Sequence, residues 1–182
     1  MLFLLLLLLT LARQAVSRPA DRMCTALSAR RLEWTIRDFD FGSSEVFTTP
    51  AHQAVSRGAA NFTLENTALS YRFRCEAVSA RGPDYLYGDD VWDCAAPAPD
   101  GGDASRFSFD RPTGLLRVEQ AWGCDRDGSR FAGAGQVRLD LACETRDYEN
   151  ERWEMGQVYS RRDMVCAKVD VPVVIEYLSG TA

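Results

Sequence analysis

The stretch Ser105-Arg106-Phe107-Ser108-Phe109-Asp110-Arg111-Pro112-Thr113-Gly114-Leu115-Leu116-Arg117-Val118-Glu119-Gln120-Ala121-Trp122 decides the fold. Phe107 and Phe109 alternate with Ser108 and Asp110, and Leu116, Val118, Gln120 and Trp122 share one face of the next segment, opposite Arg117, Glu119 and Ala121. Strand side chains point alternately to two faces, so apolar residues at a period of two mark a half-buried strand. Between the segments, Pro112 brings a φ already set for a turn and Gly114 tolerates a positive φ. This predicts a β-hairpin. After Cys124, a polar loop from Asp125 to Arg130 leads to Val137, Leu139, Leu141 and Cys143, alternating with Gln136, Arg138, Asp140 and Ala142. A third strand is predicted there, and a Cys124–Cys143 bridge would staple all three into one antiparallel sheet.

Working outward, Leu32, Trp34 and Ile36 alternate with polar residues, whereas Phe39 and Phe41 shift to the other parity. A parity change within a strand predicts a bulge or bend. Gly42-Ser43-Ser44 is expected to end that strand, with short strands following at Glu45 to Thr48 and Ala60 to Leu64. Tyr71, Phe73, Cys75 and Ala77 alternate with Arg72, Arg74 and Glu76, a further strand. The segment from Ala95 to Asp103, rich in Ala, Pro, Gly and Asp, reads as an exposed loop between strands. The charged run from Glu144 to Met155 is assigned one turn of helix, and strands close the chain around Val158 and Tyr159, Met164 to Val169 and Val171 to Tyr177, with Pro172 at an edge position. Roughly nine to eleven short strands at this spacing, with no long helical period, predict an all-β fold, a single antiparallel barrel or sandwich.

The chain begins with an apolar run, Leu2 to Ala12, followed by Ala15-Val16-Ser17. That run is too short to span a bilayer, and the small residues after it suit a signal peptidase. Residues 1–17 are therefore expected to be a signal peptide and residues 18–182 one secreted, soluble domain with no membrane anchor. The segment from Arg18 to Arg31 is polar and shows no period, an arm tied down by Cys24; its dibasic end, Arg30-Arg31, is a potential processing point. A net charge of −5, with no basic stripe, argues against nucleic acid as a partner.

Cys24, Cys75, Cys94, Cys124, Cys143 and Cys166 all lie beyond the signal segment. An even set in a secreted chain implies disulfides, of which six cysteines allow 15 connectivities. Cys75 with Cys94 and Cys124 with Cys143 each enclose one strand-loop-strand unit. Cys24 and Cys166, near the two ends, then either close the chain on itself or leave Cys24 to bridge two chains. No CxxC pair occurs and His52 is the only histidine, so zinc is the poorer explanation.

No residue pattern demands a reaction. His52 stands in a proline-containing loop without a GxSxG elbow. Asp89, Asp90 and Asp93, with Tyr85, Tyr87 and Trp92, are the best enzymatic candidates, because glycosidases use paired carboxylates and sugars stack on aromatic rings. A solvated acidic loop over packed aromatics accounts for the same residues. Asp125-Arg126-Asp127-Gly128 starts like a calcium loop but lacks the later ligands. Asn61-Phe62-Thr63 is a glycosylation sequon, whereas Asn66 is not, since Ala68 replaces the hydroxyl residue. Trp34, Trp92, Trp122 and Trp153 are expected in the core. No metal or cofactor is expected.

The order of several motifs resembles fungal small secreted proteins grouped with the major allergen of Alternaria. These motifs are Trp34-Thr35-Ile36 with Phe39, Thr49-Pro50-Ala51-His52-Gln53, Asn61-Phe62-Thr63-Leu64, Cys75 and Cys94 around Tyr87-Gly88, Gln120-Ala121-Trp122-Gly123-Cys124, the run from Trp153 to Ser160, and Cys166 before Val171-Pro172-Val173. The resemblance implies a β-barrel with two internal disulfides, matching Cys75 with Cys94 and Cys124 with Cys143. It also implies a homodimer through Cys24, against which Cys166 offers an intramolecular partner. It brings no catalytic residues, and it implies host extracellular defence proteins or small phenolic ligands as partners. The expectation is a secreted, non-catalytic binding protein, effector-like or allergen-like. Its rivals are an extracellular carbohydrate-active enzyme or wall-binding module using Asp89, Asp90 and Asp93, and a carrier of a small apolar ligand inside the barrel.

Overall fold

The computed structural model describes residues 19–30, 33–51, 54–96, 102–124 and 128–181, with side chains from residue 24 onward. The signal segment 1–17, His52 and the Asp125-Arg126-Asp127 start of the calcium-like loop lie outside the described residues, as does Arg31 of the dibasic pair.

Among the described residues one helix, α1 (Pro19–Arg30), precedes ten strands: β1 (Glu33–Phe47), β2 (Ala54–Glu65), β3 (Arg72–Ser79), β4 (Trp92–Asp93), β5 (Ala104–Asp110), β6 (Leu115–Cys124), β7 (Ser129–Arg138), β8 (Cys143–Glu149), β9 (Ser160–Cys166) and β10 (Val169–Thr181). The sheet runs β3-β2-β1-β10-β7-β6-β5-β4, with β9 branching from β1 and β8 attached to β9. All its pairings are antiparallel. The seam between the two ends of the path is bridged by a reciprocal pair of backbone bonds: Arg74 N–H donates to the Ala95 carbonyl (3.0 Å), and Ala95 N–H to the Arg74 carbonyl (2.7 Å). The Cys75–Cys94 disulfide crosses the same seam. The result is a nearly closed barrel.

The β5–β6 hairpin pairs Phe107 with Val118 and Phe109 with Leu116, in the register its alternation requires. The expected bulge is also present. Register slips between Ile36 and Phe39 against β10 and between Arg37 and Asp40 against β2, while Asp38 takes φ 52°, a left-handed conformation that aspartate tolerates better than most residues. Asp170 pins the bulge, accepting from Asp38 N–H (2.8 Å) and from Arg37 Nη1 (2.9 Å). Past this point β1 exchanges partners: its first half pairs with β10, and Gly42 to Phe47 pair with β9. Gly42-Ser43-Ser44 therefore does not end the strand. Both flanking strands supply ladder bonds there, and the Met164 carbonyl lies 3.3 Å from where a Gly42 Cβ would stand, so the small residue admits the new neighbour.

Inside the barrel, Trp34, Ile36, Phe39, Phe41, Phe62, Leu64, Phe73, Phe107, Phe109, Leu116, Val118 and Trp122 form one buried cluster. Edge-to-face contacts such as Phe39–Phe109 (5.0 Å) and Phe62–Phe107 (4.9 Å) pack it. Of the tryptophans, Trp34 and Trp122 are core residues, Trp92 packs half-buried against the core, and Trp153 lies at the tip of the β8–β9 hairpin.

Several expectations are corrected. The polar arm is helix α1, whose ordering rests on tertiary ties: a Cys24–Cys124 disulfide and a bond from Trp122 Nε1 to Ser28 Oγ (2.9 Å). The stretch from Glu144 to Met155 holds no helix; it contains strand β8, paired to β9. The third strand of the organising stretch starts at Ser129 and ends at Arg138, earlier than its alternation suggested. Its Ala132-Gly133-Ala134-Gly135 run has low strand propensity but allows close approach, since a Cβ on Gly135 would stand 2.3 Å from the Val174 carbonyl oxygen. Gly135→Ala should therefore destabilise the barrel by about 2–3 kcal/mol in urea unfolding, the cost of overpacking a site that cannot yield.

The disulfides are Cys24–Cys124, Cys75–Cys94 and Cys143–Cys166. The second is as expected; Cys124–Cys143 and Cys24–Cys166 are not formed. Cys124 and Cys143 lie at opposite ends of β7, whose ten residues at about 3.3 Å each keep them far beyond the ~7 Å reach of a disulfide. Cys143 instead faces Cys166 directly across β8 and β9. Cys24, expected to close the chain with Cys166 or to bridge two chains, is held within the chain by Cys124.

Candidate interaction surface

Strand β8 pairs with β9 alone, and nearly every residue along it is exposed, so the two stand off the barrel path as a wing whose outer strand β8 is solvated on both faces beyond Cys143, while Met164 and Cys166 of β9 pack against the core. Cross-strand register fixes which side chains share the outer face. Val46 lies opposite Val55 on β2 and Arg161 on β9, and Arg161 lies opposite Tyr148 on β8. The next row but one holds Ala59, Gly42, Val165 and Glu144. Val55, Tyr148 and Val165 are exposed, as are Met155 and Val158 in the β8–β9 connection; among the described residues Met155, 92% accessible, is the most exposed large apolar side chain. Scattered apolar side chains are ordinary on any surface, but a concentration on one element marks an interaction site.

The tip is ordered by its own polar groups. Asn150 N–H donates to the Tyr159 carbonyl (2.8 Å), and Asn150 Nδ2 donates to Gln157 Oε1 (3.1 Å). Glu154 N–H reaches the same Gln157 oxygen (3.2 Å), Gln157 N–H returns to the Glu154 carbonyl (3.1 Å), and Trp153 Nε1 donates to the Gln157 carbonyl (3.0 Å). The Trp153 and Tyr159 rings meet edge to face at 6.0 Å, and the Tyr159 hydroxyl donates to Glu149 (3.2 Å), a hydrogen bond that, together with the carboxylate's charge, raises the Tyr159 pKa. Met155 is thus presented from a preorganised loop, which lowers the ordering cost of binding.

The acidic candidates do not converge on one cleft. Arg81 bonds both Asp89 oxygens (3.0 and 2.6 Å) and Asp90 (2.8 Å), while its guanidinium lies 5.4 Å from the Tyr87 ring centroid. One arginine therefore engages two carboxylates and a ring. Its hydrogen bonds hold the Asp89 carboxyl below the usual range, the opposite of what a general acid requires. Asp93 lines a separate groove of about 330 Å³ with Arg106 and Glu119, themselves paired at 2.6 Å. Tyr85 is buried against Gly58, out of reach of a sugar.

Asn61 is exposed on β2 beside a groove of about 370 Å³ lined by Asp38, Thr63, Arg74, Glu76 and Lys168. Among the described residues no cluster of His, Cys, Asp or Glu could hold a metal ion, and no helix is long and apolar enough to cross a membrane. At the bulge, the Asp38 amide foremost, then Arg37, depresses the Asp170 pKa. A depressed carboxylate contributes stability above its ordinary value near 3.8 and loses it as pH falls through the folded-state value. Asp170→Asn should therefore lower Tm at neutral pH, with the gap from wild type closing in thermal melts as pH falls through the depressed folded-state value of Asp170.

The closed seam, the filled interior and the three cross-links define a small disulfide-stabilised β-barrel. A family model described as Alternaria alternata allergen 1 matches residues 36–166, and the chain belongs to that family. Comparison with curated proteins and with solved structures finds no match. Membership and three disulfides are consistent with an extracellular protein.

Proposed function

We propose that this chain is a secreted, non-catalytic binding protein that acts outside the cell by docking the outer face and tip of the β8–β9 wing onto another extracellular protein. The observation that carries it is the group of exposed Tyr148, Met155, Val158 and Val165 on a wing set off from the barrel path, continued on the same outer face by exposed Val55 of β2. Arg57, Arg146 and Arg161 lie on the same outer face, and tyrosine and arginine are the residue types that dominate binding hot spots. The alternatives find less support. Side chains fill the barrel interior, leaving a small phenolic ligand only the surface grooves, and Arg81 already occupies two of the acidic groups a glycosidase would use. Secretion rests on the apolar leader at residues 2–12. On this reading Asn61, with Thr63 on the same strand face, carries an N-linked glycan. The proposal is tested by affinity capture from extracellular fluid, with folded protein expected to enrich a defined partner that reduced, unfolded protein does not.

A further inference from the structure

We propose that Cys143–Cys166 is a thiol-exchange site, opened by small-molecule thiols ahead of the other two disulfides, with Arg111 holding the thiolate that leaves at Cys143. Arg111 follows β5, and its backbone N–H is fixed by the Leu86 carbonyl at 2.8 Å. Its guanidinium lies 5.4 Å from the Phe41 ring centroid, and its Nη2 faces two sulfurs, Met164 Sδ at 3.4 Å and Cys143 Sγ at 3.9 Å. Nε is buried without an acceptor, and no carboxylate among the described residues pairs with this side chain. A part-buried cation whose polar contacts are to sulfur lacks the anion that would offset its desolvation. Opening the disulfide generates that anion in place, because the departing sulfur is a thiolate.

The other two bridges lack this arrangement. Cys24 and Cys124 are both buried, and the neighbour of Cys124 Sγ is the neutral Ser28 hydroxyl at 3.9 Å; in the third bridge Cys75 is wholly buried and Cys94 part-buried, but no cation among the described residues contacts either sulfur. Cys143 is part-buried and begins the free edge strand β8; Cys166 is 5% exposed, and access to it is through a groove of about 390 Å³ that both cysteines line with Ala142, Glu144, Val165 and Ala167. Exchange runs faster when the leaving thiol has a lower pKa, and a neighbouring guanidinium lowers it.

In the assigned step an external thiolate attacks Cys166 Sγ and forms a mixed disulfide there. The Cys143–Cys166 bond breaks, and its electron pair goes to Cys143 Sγ beside Arg111. With a dithiol reductant, the second thiol loses its proton to solvent and displaces Cys166, which leaves as a thiolate. The reductant closes to a disulfide, so two electrons reach the protein. The edge strand that begins at Cys143 then loses its covalent tie to β9.

The test treats the folded protein with graded dithiothreitol or glutathione, blocks free thiols with N-ethylmaleimide, and maps labelled peptides by mass spectrometry. Cys143 and Cys166 should be labelled first, and the glutathione adduct should sit on Cys166 with the maleimide on Cys143. Arg111→Leu should slow opening about threefold to tenfold, and Arg111→Lys should retain most of the rate. In a Cys166→Ser variant, whose Cys143 thiol is free from the start, Arg111→Leu should also slow alkylation of Cys143 by a similar factor. First opening at another disulfide, a glutathione adduct on Cys143, or alkylation indifferent to Arg111 would overturn the proposal.

Discussion

Trp122→Ala is expected to cost about 3–5 kcal/mol in urea or thermal unfolding, a large part of the roughly 5–15 kcal/mol that holds a typical domain folded. Trp122 is about 1% exposed. It meets Trp34 edge to face at 6.3 Å and stacks on Phe131 at 5.7 Å, so its removal opens a cavity between two walls of the barrel. Its indole N–H also donates to Ser28, one of the contacts that bind α1 to the barrel end. Trp122→Phe keeps much of the packing and loses the donor, leaving the buried Ser28 hydroxyl with only the weak Cys124 sulfur contact, and should cost about 1–3 kcal/mol. Ser28→Ala isolates the hydrogen bond and should cost about 1 kcal/mol. A Trp122→Ala protein within 1 kcal/mol of wild type would contradict the placement of this ring at the junction of helix and barrel.

Tyr148→Asp combined with Met155→Asp should weaken partner binding by about thirtyfold or more while leaving Tm nearly unchanged. Both side chains are exposed, so the folded chain gives up little packing when they are replaced. An interface closing over them would desolvate two carboxylates without partners, which costs far more than the lost apolar contact. Substitutions at Val174 and Tyr177, exposed residues on β10 away from the wing, serve as controls and should leave binding unchanged.

How much was legible beforehand follows from what each element packs against. The β5–β6 hairpin was readable because each strand has one buried and one wet face, and Phe107, Phe109, Leu116 and Val118 print that difference at a period of two. The shift at Phe39 announced the bulge for the same reason. Strand β8 was missed because both its faces meet solvent, so Glu144, Arg146 and Asp147 carry no alternation. Strand β7 was misplaced because it is selected for close approach at Gly133 and Gly135, not for side-chain packing. Helix α1 carries only a short apolar set at helical spacing, Ala20, Met23, Cys24 and Leu27, which was passed over among its polar neighbours, and it is held by Cys24 and Ser28, contacts that exist only once β6 is in place. The misassigned disulfides share that cause: enclosing a strand-loop-strand unit is a local criterion, whereas Cys124 and Cys143 sit at opposite ends of a strand. The chemical residues were visible as types, but only the fold revealed that Arg81 joins Asp89 and Asp90 and that Asp93 stands elsewhere. The proposed docking surface had a partial signal in the run from Trp153 to Ser160; its outer-face row of Val55, Val46, Arg161 and Tyr148 comes from two hairpins far apart in the chain, β1–β2 and β8–β9, and has no local signature.

The most direct measurement is quantitative capture from extracellular fluid with three immobilised baits: the folded oxidised domain, the folded Tyr148→Asp/Met155→Asp variant, and the reduced, unfolded chain. The account predicts one or a few extracellular proteins enriched on the first bait and lost from the other two. Equal recovery on the folded wild type and the folded wing variant would contradict docking through the wing, and equal recovery on all three would contradict a fold-dependent binding function altogether.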